Sequence, residues 1–334
     1  MSILNTQQED IVCKWIAAEA LYFLKDRHIE NREDWINTFK TRVHKIIFNI
    51  AEENDLNITR SWYLHGAFIH EYRFENDFSS LARSYVSTTM GPVRLQSKVI
   101  GILGDVGSIV EDIQRIANEI DSLSVDEYLS KFYREEAPEP FRDAYLSKFR
   151  LTSSDSVLNL LGGAYRYNSM YLNVVLDNID RIHDDITDFQ SAVFSFNNED
   201  ILDQNTLMYF NVLEDSIRKL ELWHKYEAAE SFSAFSFFED AKKFFVDYVW
   251  KPYACEITKS TVKGLRKTNV RSRAQTWKRE TLNQYNYRIQ VLEQKKNQMG
   301  MRMDYEEMKE YIGPLDKDDE KLLKLISTYD KIKE

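Results

Sequence analysis

Ten glycines and five prolines among 334 residues leave this chain few places to turn sharply. Sheet-rich folds need a tight turn every few residues, and those turns draw on glycine and proline. The scarcity therefore selects long helices joined by few connections. Hydrophobic residues at 43% and aromatics at 13% supply a packed core. Charged residues at 29% coat the outward faces of such helices.

Apolar spacing places the elements. Thr6-Gln7-Gln8-Glu9 has the capping-box form and predicts a first helix beginning at Thr6, with Ile11, Trp15, Ala18 and Tyr22 on its apolar face. A second helix is predicted after Asn31, with Trp35, Phe39, Val43, Ile46, Ile47 and Ile50 on its buried side. Asn54 to Asn57 reads as a turn, and Ser61–Ile69 as one strand rich in aromatic and branched residues. Gly101, Gly104 and Gly107 loosen the pattern, and a domain boundary is expected near residue 100.

Beyond that point the helical rhythm lengthens. Ile109, Ile113, Ile116, Ala117 and Ile120 keep it, and Ser124-Val125-Asp126-Glu127 is a second capping box. From Leu161 through Asn168, Tyr171 and Val175 to Val193 the stripe is nearly unbroken, which predicts a single helix on the order of 50 Å. Leu207 to Trp223 makes a further stripe. Phe235 to Val249 begins another helix, which Pro252 is expected to kink or end. Leu322 to Ile332 closes the chain as a short amphipathic helix. The expected fold is mainly α: a bundle of long antiparallel helices over residues 101–334, with a smaller N-terminal α(+β) domain over residues 1–100.

The charges are unevenly placed. From Ile257 to Arg279 there is no acidic residue and there are eight basic ones: Lys259, Lys263, Arg266, Lys267, Arg271, Arg273, Lys278 and Arg279. The net charge of −10 includes the +8 of this segment, so the rest of the chain carries −18. On one helix, Lys259, Lys263, Arg266, Lys267 and Arg271 would share a face. A row of that kind follows a phosphate backbone, releasing condensed counterions. Trp277, Tyr285 and Tyr287 lie just beyond and offer stacking surfaces for unpaired bases. The plainer readings are a solvated face, or a patch that meets an acidic protein surface, with self-association by charge complementarity as a corollary. Gly264 weakens the case for one continuous helix.

Catalytic and metal signatures are absent from the sequence. Gly101 to Gly107 has glycines but no Gly-Lys-Ser/Thr ending, and neither Gly-x-Ser-x-Gly nor His-Glu-x-x-His occurs. His65 and His70, five apart, would point to opposite faces of a strand, so no metal is expected there. His183-Asp184-Asp185 resembles the doublet of metal-dependent phosphohydrolases, but no companion histidine motif accompanies it. A polar helix flank is the simpler reading. Cys13 and Cys255 form neither a disulfide framework nor a ligand spacing. No cofactor is expected. A polar N-terminus and the lack of any apolar run near 20 residues predict a cytoplasmic protein with no membrane segment.

Val43-His44-Lys45-Ile46-Ile47-Phe48, a turn, and Ser61-Trp62-Tyr63-Leu64-His65-Gly66-Ala67-Phe68 resemble the start of a group of prokaryotic winged-helix-like proteins. That group pairs a Lys-apolar-apolar-Phe helix with a Trp-Tyr-x-x-Gly-Pro-Tyr strand, and some members are associated with antitoxins or mobile elements. Ala67 and Phe68 stand where the group has proline and tyrosine. The resemblance covers residues 43–68 and implies a DNA-linked or defence-linked context. The functional expectation is a non-enzymatic, nucleic-acid-associated protein, in a defence or toxin–antitoxin setting, binding through residues 259–279. The alternative is a scaffold or antitoxin-like interaction subunit with no nucleic-acid contact, and a third class is an enzyme whose dispersed carboxylates leave no local signature.

Overall fold

A computed structural model describes residues 4–24, 32–70, 91–164, 179–197, 199–225 and 236–312. The described residues are mainly helical, with a single two-stranded sheet among them. They fall into two compact units: residues 1–138 with 254–279, and residues 139–253 with 280–334.

The first unit begins with α1 (Thr6–Phe23). Its cap is Asn5, one residue earlier than the sequence pattern placed it. The Asn5 carbonyl oxygen of the side chain accepts from the backbone N–H groups of Gln7 and Gln8, each at 3.0 Å, and the Gln8 side chain accepts from Asn5 N–H at 2.9 Å. Asparagine is among the strongest N-caps and takes the position ahead of threonine. Val12, Trp15, Ile16 and Ala20 are fully buried along α1, which packs against α2 (Arg32–Glu53), α3 (Gly91–Leu103) and α4 (Gly107–Asp121). The boundary expected near residue 100 falls inside α3. That helix is held to α1 by packing, so the unit runs on through α5 (Val125–Glu136) to Pro138. The capping box at Ser124 forms as read, with Glu127 N–H donating to Ser124 Oγ and Ser124 N–H to the Glu127 side chain.

The single strand expected over Ser61–Ile69 is a hairpin, β1 (Arg60–Tyr63) against β2 (Gly66–Ile69), antiparallel in the register Arg60↔Ile69 and Tyr63↔Gly66. Leu64 and His65 make the turn, and Gly66 at φ +86° closes it. Lys45 of α2 is buried beneath it and donates to the His65 carbonyl at 2.5 Å and the Ala67 carbonyl at 2.8 Å. A Cβ at Gly66 would stand 2.7 Å from the Tyr133 ring, so no larger residue fits. Trp62 stacks on Phe132 of α5, with centroids 5.3 Å apart, and fixes the hairpin's inner face.

The second unit contains α6 (Arg142–Thr152), α7 (Val157–Ala164), α8 (Asp180–Phe196), α9 (Asp200–Lys225) and α10 (Ser236–Phe244). Of the stripe from Leu161 to Val193, α7 carries the first residues and α8 the last from Asp180 on, while Asn168, Tyr171 and Val175 lie outside the described residues. Its aromatic core gathers Tyr145, Phe189, Phe210, Phe245 and Trp250 in edge-to-face contacts. Pro252 does not end its helix. The helical backbone runs unbroken from α10 through a wide π-helical turn over Phe245–Trp250 into α11 (Lys251–Thr261), and the wide turn just before Pro252 accommodates its ring and missing N–H. The expected closing helix over Leu322–Ile332 lies outside the described residues.

Candidate nucleic-acid interface

The basic segment does not form one helix. α11 ends at Thr261, the chain turns over 262–266, and α12 (Lys267–Gln298) begins. Gly264 makes the turn at φ +97°, with its α-carbon pressed on the Ile58–Thr59 backbone. Lys263 then pairs in antiparallel fashion with Arg60, Arg60 N–H donating to the Lys263 carbonyl at 3.2 Å and Lys263 N–H to the Arg60 carbonyl at 2.9 Å. A short backbone ladder thus extends the hairpin edge, and the five cations expected on one face are divided among three environments.

Four of the eight cations meet carboxylates of the same unit. Arg266 Nε lies 3.1 Å from the fully buried Glu9 carboxylate, whose other oxygen accepts from Thr59 N–H at 2.5 Å. Lys263 donates to both oxygens of Glu52 at 3.1 and 3.0 Å, and Arg60 joins them at 2.8 Å. Burial alone would raise the Glu52 carboxyl, but hydrogen bonds from Arg60 and Lys263 hold it below the ordinary carboxylate range. Glu256 accepts from Lys259 at 2.9 Å and from the buried Lys278 at 2.7 Å. There too burial pushes up, and the Lys278 and Lys259 contacts override it and lower the carboxyl.

The other four are differently placed. Arg271 Nε donates to the Lys259 carbonyl at 3.1 Å, which satisfies an end group of α11 and suits the negative end of that helix. Arg273 lies over the Trp277 ring at 5.0 Å, and Trp277 stacks on Tyr63 with centroids 5.5 Å apart. Lys267 and Arg279 are exposed. Among the described residues none of these four has a carboxylate partner.

Helical geometry sorts them by face. Val270, Ala274, Lys278 and Thr281 form the buried stripe of α12. Lys267, Arg271, Gln275 and Arg279 follow one another at four-residue intervals, about 6 Å per step, in a row that winds from one flank at Lys267 and Arg271 towards the outward strip at Arg279. Arg273 lies on the opposite flank. Asn269, Ser272 and Thr276 occupy the outward strip between. Of the aromatic residues expected to stack on bases, Trp277 is engaged by Tyr63 and Arg273, Tyr285 is buried with its hydroxyl on the Asn205 carbonyl, and Tyr287 is 65% exposed.

The remaining candidates are dispersed. His65 sits exposed at the hairpin turn, while His70 is buried and shares a 2.6 Å hydrogen bond with the Ser61 hydroxyl. His44 Nδ1 accepts from Ile69 N–H at 3.2 Å. On α8, His183 faces Glu221 at 3.4 Å, Asp185 receives Arg150 Nε at 3.0 Å, and Asp184 is exposed. The side chains of His183, Asp184 and Asp185 therefore point to three different surroundings. Among the described residues no cluster of three metal-ligating side chains occurs, and no helix is long and apolar enough to cross a membrane.

Sequence reasoning missed Glu9, Glu52 and Glu256 as the partners of the basic segment. Glu256 carried a signal, being the last acid before the run and three residues from Lys259. Glu9 and Glu52 are over 200 residues distant in sequence from their partners, and no local pattern marks them.

These features define a mainly α-helical protein with a basic helix face set beside a β-hairpin. Residues 105–331 match the model of a domain of unknown function, DUF8098, and the chain belongs to that family. No curated protein and no solved structure matches the chain.

Proposed function

We propose that this protein binds nucleic acid through the outward face of the first turns of α12, with Lys267, Arg271, Arg273 and Arg279 as the phosphate-contacting cations. The carrying observation is that this face, residues 267–279, has no acidic residue and holds four cations with no carboxylate partner among the described residues. A cation beside a carboxylate brings that negative charge to the phosphate as well, so it attracts a phosphate less than a cation with no such neighbour. Lys259, Lys263, Arg266 and Lys278 thus serve to shape the face, and the other four serve the ligand. The −18 carried outside the basic segment repels a polyanion elsewhere and confines it to this patch. The defence or toxin–antitoxin setting rests on the resemblance of residues 43–68.

The same face suits an acidic protein surface, and that reading is the alternative. Titration of labelled duplex, single-stranded DNA and RNA at low and moderate salt separates the two. Affinity that falls steeply with salt supports nucleic acid. Absence of binding to all three, together with a complex that survives nuclease treatment, supports a protein partner.

A further inference from the structure

We infer that the nucleic acid is duplex DNA, that α12 enters its major groove over residues 267–279, and that Asn269 and Ser272 read base edges there. This rests on the nucleic-acid reading above and goes beyond it. A helix that only follows a backbone needs one basic flank. Here cations stand on both flanks, with Lys267 and Arg271 on one side and Arg273 on the other. Between them, over Asn269, Ser272 and Thr276, the strip is uncharged and rich in hydrogen-bonding side chains, and Arg279 and Glu280 close its far end.

A helix about 10–12 Å across fits a major groove about 12 Å wide. Seated there, its two flanks meet the phosphates of the two strands, and its outward strip faces the base edges. Asn269 and Ser272 are exposed on that strip. Thr276 turns its hydroxyl back to the Ser272 carbonyl at 3.2 Å and contributes shape rather than a donor. Asparagine matches the acceptor and donor pair that adenine presents in the major groove, and serine matches several edges. The deep, narrow major groove of A-form RNA admits no helix, so duplex RNA is excluded from this mode.

Arg273 is prepared for its strand. Trp277 carries its guanidinium, and Tyr63 of the hairpin backs Trp277. Its N–H donors have no hydrogen-bond partner among the described residues and are open to a phosphate, while the stacking on Trp277 limits the rotamer freedom lost on binding.

Selection from a randomised duplex pool by the full chain tests the inference, with the Asn269→Ala/Ser272→Ala double variant alongside. Both residues are exposed, so the variant keeps the fold, which a thermal melt verifies. The inference expects the wild type to enrich a motif and to prefer it over a scrambled duplex by roughly tenfold or more. The variant is expected to lose the preference, binding the selected and the scrambled duplex within about twofold of one another. Duplex RNA of the selected sequence is expected to bind at least about tenfold more weakly. Binding to duplex DNA without enrichment, enrichment that survives in the variant, or equal binding to duplex RNA overturns groove reading while leaving backbone binding standing. Failure to bind any nucleic acid overturns both.

Discussion

A Cβ built on Gly264 would stand 2.5 Å from the Cα of Thr59. Only a glycine allows the two backbones to approach this closely, at the bend between α11 and α12 where the basic segment meets the hairpin. Gly264 also holds φ +97°, where a side chain is strained even in open space. Gly264→Ala is therefore expected to cost about 3 kcal/mol or more, seen as a lowered denaturant midpoint. A change under about 0.5 kcal/mol would mean the bend is not fixed here.

Arg266 and Lys263 are three residues apart and carry the same charge, yet their substitutions are expected to differ. Arg266→Met leaves the fully buried Glu9 carboxylate without its ion pair, at a cost of about 3 kcal/mol. The Lys263 side chain is 61% exposed beside Glu52, and Lys263→Met is expected to stay within about 0.5 kcal/mol. Chemical denaturation of the two variants in parallel measures the contrast, and equal losses would show that burial of the carboxylate partner does not set the strength of these pairs.

Lys45 fastens the hairpin turn through two carbonyls. Lys45→Met keeps the length of the stem and removes both charged donors. It is expected to lose about 3 kcal/mol and to raise amide exchange through Arg60–Ile69 before exchange rises elsewhere. Uniform exchange across the first unit would show that the turn is held by other contacts.

Burial, with the Arg273 charge nearby, pushes the His70 imidazole down to about 3. The folded state therefore keeps His70 neutral, while the unfolded chain takes up a proton below about 6.5. Stability is full above pH 6.5 and falls by up to about 1.4 kcal/mol per unit as pH drops towards 5. His183 acts with the opposite sign. Its hydrogen bond to Glu221 raises its affinity for a proton, so its contribution is present at low pH and fades as pH rises. Denaturant midpoints of wild type and His70→Gln at pH 7.5 and pH 5 test the assignment. The gap between them is expected to narrow at pH 5, and a constant gap would contradict it.

Helix content was legible because core spacing is local. Ile109, Ile113, Ile116 and Ile120 are buried as their rhythm implies, and the Ser124 box caps its helix as read. Failures occurred where distant contacts decide. The hairpin turn at Leu64-His65 depends on Lys45 reaching across from α2, a contact that no property of residues 61–69 announces. Pro252 looked like a stop because the π-helical turn before it leaves no mark in spacing. The basic residues were visible in sequence, but their division was not, since Glu9 and Glu52 reach them only through folding. Asn269 and Ser272 were overlooked because the outward strip of α12 has meaning only once Val270, Ala274 and Lys278 are known to face inwards.

The most direct test compares wild type with Lys267→Glu/Arg271→Glu/Arg279→Glu by fluorescence anisotropy of a labelled random duplex, between about 50 and 200 mM salt. For the wild type the account predicts a log–log salt slope of about −3.6, from four phosphates at about −0.9 each. The triple variant is predicted to lose affinity at least about tenfold and most of that slope. Wild-type binding that is insensitive to salt, or a variant that binds as the wild type does, would contradict the claim that this helix face is the nucleic-acid interface.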